Sequence, residues 1–120
     1  MKPLILVADG CDLLCSFLRT ILSKHYEVTV VRSEEAARAA LTSLDFSAAV
    51  VGFRLTNSTG AALVTKMRGD GYDMPVVLVG SCETAAVREI RKDPSVAILM
   101  KPFDPNELLE QLTELRGEST

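Results

Sequence analysis

Five short apolar runs alternate along the chain with stretches whose apolar residues recur at helical spacing. The first run, Leu4-Ile5-Leu6-Val7-Ala8, is continuous and predicts a strand buried on both faces. Asp9-Gly10 ends it. Leu13, Leu14, Phe17, Leu18, Ile21 and Leu22 then fall three and four residues apart, which predicts a helix over about Asp12 to Lys24. Tyr26-Glu27-Val28-Thr29-Val30-Val31 is rich in β-branched residues and predicts a second strand. Ser33 is placed to cap an alanine-rich helix with Ala36, Ala37, Ala40, Leu41 and Leu44 as its inner face. Ala48-Ala49-Val50-Val51 predicts a third buried strand, ended by Gly52. The turn-rich stretch Thr56-Asn57-Ser58-Thr59-Gly60 leads into a helix carrying Leu63, Val64 and Met67, stopped by Gly69-Asp70-Gly71. Pro75-Val76-Val77-Leu78-Val79 predicts the fourth strand, and a short helix with Ala86, Val87 and Ile90 follows, with Asp93-Pro94 beyond its end. Val96-Ala97-Ile98-Leu99-Met100 predicts the fifth strand. The strongest local signal is Asp104-Pro105-Asn106-Glu107: Asp104 caps, Pro105 suits the first turn, and Glu107 completes a capping box. Leu108, Leu109, Leu112 and Leu115 form the stripe of that last helix.

The order is (βα)₅. Near-continuous apolar strands alternating with helices call for a parallel sheet covered on both faces. Right-handed crossovers then favour a doubly wound, flavodoxin-like α/β sandwich with strand order 2-1-3-4-5. Ligand crevices in such sheets lie at the carboxyl ends of the strands, where the winding reverses. Any site is therefore expected among Asp9, Gly52, Gly80, Ser81 and Lys101, which follow strands one, three, four and five.

Composition narrows the class. The 120 residues fit one domain spanning the chain, with Arg116-Gly117-Glu118-Ser119-Thr120 as a polar tail or the start of a linker. A hydrophobic share of 48% supports a real core, and 24% charged residues is ordinary for a globular chain. The net charge is −3 and the cations are scattered singly, so no dedicated nucleic-acid surface is expected. No apolar stretch approaches a membrane span, and the N-terminus runs straight into a strand without a signal peptide. Cys11, Cys15 and Cys82 form no redox or zinc pattern. Cys11 and Cys15, four apart, read as small, partly buried thiols on one helix face, and the odd count points to a reducing, cytoplasmic setting.

The crevice residues leave several chemistries open. Asp9 could help bind a hard cation, yet Mg²⁺ usually needs further carboxylates or phosphate oxygens; otherwise it caps or meets the dipole of the first helix. Lys101, aimed by Pro102, could neutralise Asp9 or bind an anion. Arg54 could pair with Asp9, bind an anion with Lys101, or stay solvated. Ser81 could be a nucleophile only beside a base. The single histidine, His25, belongs at the far end of the first helix, so no Ser-His-acid set is available. Neither a G-x-G-x-x-G fingerprint nor a P-loop is present.

From Leu4 to about Leu115 the chain resembles the receiver domains of two-component response regulators. The likeness rests on Val7-Ala8-Asp9, the Gly52-to-Gly60 loop, Pro75, and Met100-Lys101-Pro102-Phe103 ahead of the capped last helix. The resemblance implies a Mg²⁺ pocket of two acidic residues after strand one and an Asp after strand three that accepts a phosphoryl group from a histidine kinase. It further implies a switching Ser or Thr after strand four, an aromatic on strand five, and a Lys contacting the phosphate. Here Ala8 stands at the first acidic position, Gly52 at the phospho-accepting Asp, Gly80 at the switching hydroxyl and Ile98 at the aromatic, while Asp9 and Lys101 are kept. Arg54 occupies the position whose backbone carbonyl helps hold the metal, and Thr56 replaces the usual loop proline. A cis Lys101–Pro102 bond is also implied.

Glycine offers no nucleophile for an acyl phosphate, and loss of two acidic groups leaves weak or no Mg²⁺ binding. The expectation is a pseudo-receiver that acts by protein–protein contact rather than phosphorylation, with no cofactor and no catalysis. The resemblance puts its docking face around Arg88, Arg91, Lys92 and Ile98. The partner would be a histidine kinase, an output domain, a second receiver or another copy of the chain. Competing readings are a receiver triggered by an anion or by modification elsewhere, and a small α/β enzyme.

Overall fold

The computed structural model describes residues 2–80 and 84–117. Strands and helices alternate as β1 (Leu4–Ala8), α1 (Asp12–Leu22), β2 (Glu27–Val31), α2 (Glu34–Ser43), β3 (Ala48–Gly52), α3 (Gly60–Gly69), β4 (Val76–Gly80), α4 (Ala85–Ile90), β5 (Val96–Met100) and α5 (Pro105–Leu115). The five strands form one parallel sheet in the order β2-β1-β3-β4-β5, the doubly wound order expected from the alternation.

Burial follows position in that sheet. Every residue of β3 and β4 is buried, and β1 is buried from Ile5 onward. The edge strands β2 and β5 are only partly covered, because each has a neighbour on one side alone. Leu6, Ala49, Val51 and Leu78 pack against α2, α3 and α4 through Leu41, Leu63, Met67 and Val87. Ile5, Val7, Val50 and Val79 face α1 and α5 through Leu18, Leu22, Leu108 and Leu112. Each such leucine contributes about 1.5–3 kcal/mol relative to an exposed one.

Local chemistry sets the helix ends. Ser33, Thr59 and Thr84 accept the backbone N–H three residues on. The capping box of α5 forms as its sequence demands: Asp104 accepts from Asn106 N at 2.8 Å, and Glu107 accepts from Asp104 N at 3.1 Å. Asn57 adopts a left-handed φ of 62°, a conformation asparagine tolerates. It turns the predicted loop into a small antiparallel ribbon, Arg54–Leu55 against Ser58–Thr59.

The inner face of α2 needs two corrections, Ala36 and Leu44, and three other apolar residues of the helical patterns, Leu13, Phe17 and Ala86, stay exposed. Leu13 is 82% exposed and Phe17 43%, because α1 turns Leu14, Cys15, Leu18 and Leu22 toward the sheet and leaves these two on its flank. Ala36 is exposed in the first turn of α2, where only its N–H is used, by Ser33. Leu44 is exposed as the extended residue that ends α2. Ala86 is exposed on α4, which buries only Val87 and Ile90. Nor do the two nearby thiols share an environment. Cys11 is exposed at the cap position outside α1, whereas Cys15 is buried; Cys82 lies outside the described residues. His25 is exposed beyond the end of α1, as expected.

Candidate functional site

The carboxyl ends of β1, β3 and β4 meet around one buried charge. Asp9 is 5% exposed and is the only buried polar or charged residue among those described. Its N–H donates to Val31 O, and its Oδ1 accepts from Cys11 N at 2.7 Å, a local turn that leads the chain into α1. Burial raises the Asp9 carboxyl above the ordinary aspartate value; the Cys11 N–H and the charges of Lys101 and Arg32 oppose that rise. The same burial, with the Asp9 charge adding to it, lifts the Cys15 thiol, which lies 3.4 Å from Asp9 O.

The other half of the Asp9 carboxylate lies over Gly52. A Cβ placed on Gly52 would sit 2.5 Å from Asp9 Cγ, with Oδ2 nearer still. Real Cβ atoms do not approach so closely, so this carboxylate stands where a side chain at position 52 would begin. The chain folds back tightly beneath it: Gly60 N donates to Phe53 O at 3.0 Å, and a Cβ on Gly60 would collide with the Gly52 carbonyl.

Gly80 repeats the pattern. A Cβ there would sit 2.5 Å from Phe53 Cδ2 and closer to Cγ and Cδ1, so the Phe53 ring covers the end of β4. Phe53 N donates to Val79 O at 3.0 Å, which fixes this position. Sequence reasoning missed Phe53. Its signal was an aromatic directly after one strand-end glycine, with a second such glycine on the neighbouring strand.

The remaining predicted residues spread around this centre. Ala8 is buried between Val31 and Val51 in the sheet register. Lys101 is exposed, its N–H donates to Gly80 O at 2.7 Å, and the Lys101–Pro102 peptide is cis. Ser81 lies outside the described residues. Arg54 does not turn inward: its side chain is exposed, while its carbonyl accepts from Gly10 N at 2.9 Å. Arg32, which sequence reasoning did not single out, is the arginine whose field reaches Asp9, and it also pairs with Asp12. Arg88, Arg91 and Lys92 are exposed on and after α4, with Lys92 paired to Glu89 at 3.0 Å. Ile98 is partly buried against the α2–α4 side of the sheet. The described residues contain no group of three metal-ligating His, Cys, Asp or Glu side chains, and none of their helices is long and apolar enough to cross a membrane.

Comparison with known proteins agrees with this architecture. The chain is similar to protein RcaC of Microchaete diplosiphon, 25% identical over 113 residues, which is 93% of this chain and only 17% of that protein's length. A CheY-like receiver domain protein from Methanospirillum hungatei superposes with a TM-score of 0.87 at 22% identity, covering 98% of this chain and 95% of the other. The receiver domain of a Pseudomonas aeruginosa sensor histidine kinase, with a magnesium ion in its active-site cleft, gives 0.78 at 20% identity, covering 98% and 100%. At such identities these structures speak for the fold. The profile of the response regulator receiver domain matches residues 5–113, nearly the whole sequence, and this chain therefore belongs to the response regulator receiver domain family.

Proposed function

We propose that this receiver domain of two-component signalling works without aspartyl phosphorylation, as a module that binds a protein partner. The observation that carries the reading is the Asp9 carboxylate over Gly52. The place of the acceptor side chain is filled from within by the carboxylate that a receiver would lend to a metal. Phe53 over Gly80 supports it in the same way, since glycine supplies no switching hydroxyl and any side chain there would require the Phe53 ring to move.

The donors do not fit a magnesium site. Mg²⁺ asks for near-octahedral oxygens, usually from one or two carboxylates plus phosphate and water. Here one carboxylate is present, one of its oxygens is engaged by Cys11 N, and the Arg54 carbonyl is engaged by Gly10 N. Lys101 and Arg32 further oppose a cation.

With phosphoryl chemistry set aside, recognition falls to the surface. The α4–β5 side carries Arg88, Arg91 and Lys92 beside the half-covered Ile98, and a histidine kinase, an output domain or another receiver is the class of partner it would meet. An NMR titration with Mg²⁺ and beryllofluoride tests the reading. Unmoved amides at Asp9, Gly52 and Lys101 are expected; saturable shifts there would overturn it.

A further inference from the structure

Beside the filled pocket lies an open groove of about 540 Å³ between the Arg54–Thr59 ribbon and α4, within the roughly 300–1,000 Å³ typical of small-molecule sites. Phe53, Leu55 and Val87 supply apolar walls, and no Asp or Glu lines it among the described residues. Arg54 lines it too, exposed and without an ion pair among the described residues. Thr59 and Ala61 bring the N-terminus of the ten-residue α3 to the same groove, where the helix dipole favours negative charge. The apolar floor exists because of Gly80: the Phe53 ring lies over that glycine, and any side chain there would drive the ring away.

We propose that this groove binds a small aromatic carboxylate, its ring against Phe53, Leu55 and Val87 and its carboxylate on the Arg54 guanidinium. An aromatic body suits the walls, and a planar carboxylate matches the guanidinium fork, which accepts such groups in bidentate fashion. The groove borders the phosphorylation pocket at Arg54 and Phe53, but it is read by a different ligand, so failure of this proposal would leave the preceding reading standing. Occupancy would steady Phe53 over Gly80.

The test is an NMR titration of the intact chain with 2-naphthoate, with 2-naphthamide as the uncharged comparison. Saturable shifts confined to Phe53, Leu55, Thr59, Ala61 and Val87 are expected, weakened about tenfold by the amide and by Arg54→Met, as loss of one charge-assisted contact implies. Arg54→Met removes only an exposed side chain, and unchanged dispersion of the other amides reports that the fold survives. Absence of saturable shifts, shifts outside the groove, or equal affinity for naphthoate and naphthamide would each overturn the proposal.

Discussion

At residue scale the domain turns on two glycines and the side chains that cover them. Gly52→Asp places a second carboxyl against Asp9, whose carboxylate must shift to admit the new Cβ. It should cost about 1–3 kcal/mol as an overpacked core substitution, read by urea denaturation. Pairing it with Asp9→Ala should recover part of that loss, since the two side chains compete for one volume; additive losses would show that they do not. Gly80→Ser should likewise displace Phe53, with Phe53→Ala relieving the added cost. Asp9 also sets a pH dependence. Its carboxyl value is raised in the folded chain, so its stabilising contribution is complete below 3.8 and is lost as pH rises through the raised value. The stability difference between wild type and Asp9→Asn, followed by urea titration over that range, should therefore fall with rising pH.

At element scale the periodicities carried most of the information. The buried runs at β1, β3 and β4 could only be central strands, and Asp104-Pro105-Asn106-Glu107 dictated the start of α5 through local hydrogen bonds alone. Ala36 and Leu44 were misjudged because spacing shows which residues share a helix face. It does not show how much of that face the sheet can cover. The positions of Asp9 and Phe53 were equally hidden: the sequence displayed the missing side chains at 52 and 80, whereas what moved into their space is a matter of packing. Arg68 shows the same limit. It joins the end of α3 to the α4–β5 turn by donating to Asp93 Oδ2 at 2.7 Å, to the carbonyls of Tyr72 and Met74, and to Ser95. The Arg68 hydrogen bond holds the Asp93 carboxyl down at about 2. That contribution is present above 3.8 and is lost as pH falls through about 2. Arg68→Ala should cost about 2–3 kcal/mol by leaving these acceptors unpaired, and a melting-temperature series in acid should show the variant losing less stability than wild type over that window.

At the scale of the whole molecule the receiver architecture is kept, and we propose that its reactive centre is closed. The five-stranded sheet, the cis Lys101–Pro102 peptide and the Lys101 charge are present, and the Asp9 carboxylate lies over Gly52. The measurement that bears most directly on this is incorporation of label from radioactive acetyl phosphate in the presence of Mg²⁺, assayed as hydroxylamine-labile acyl phosphate. We expect none on the native chain. A stoichiometric, hydroxylamine-labile phosphate would contradict the account.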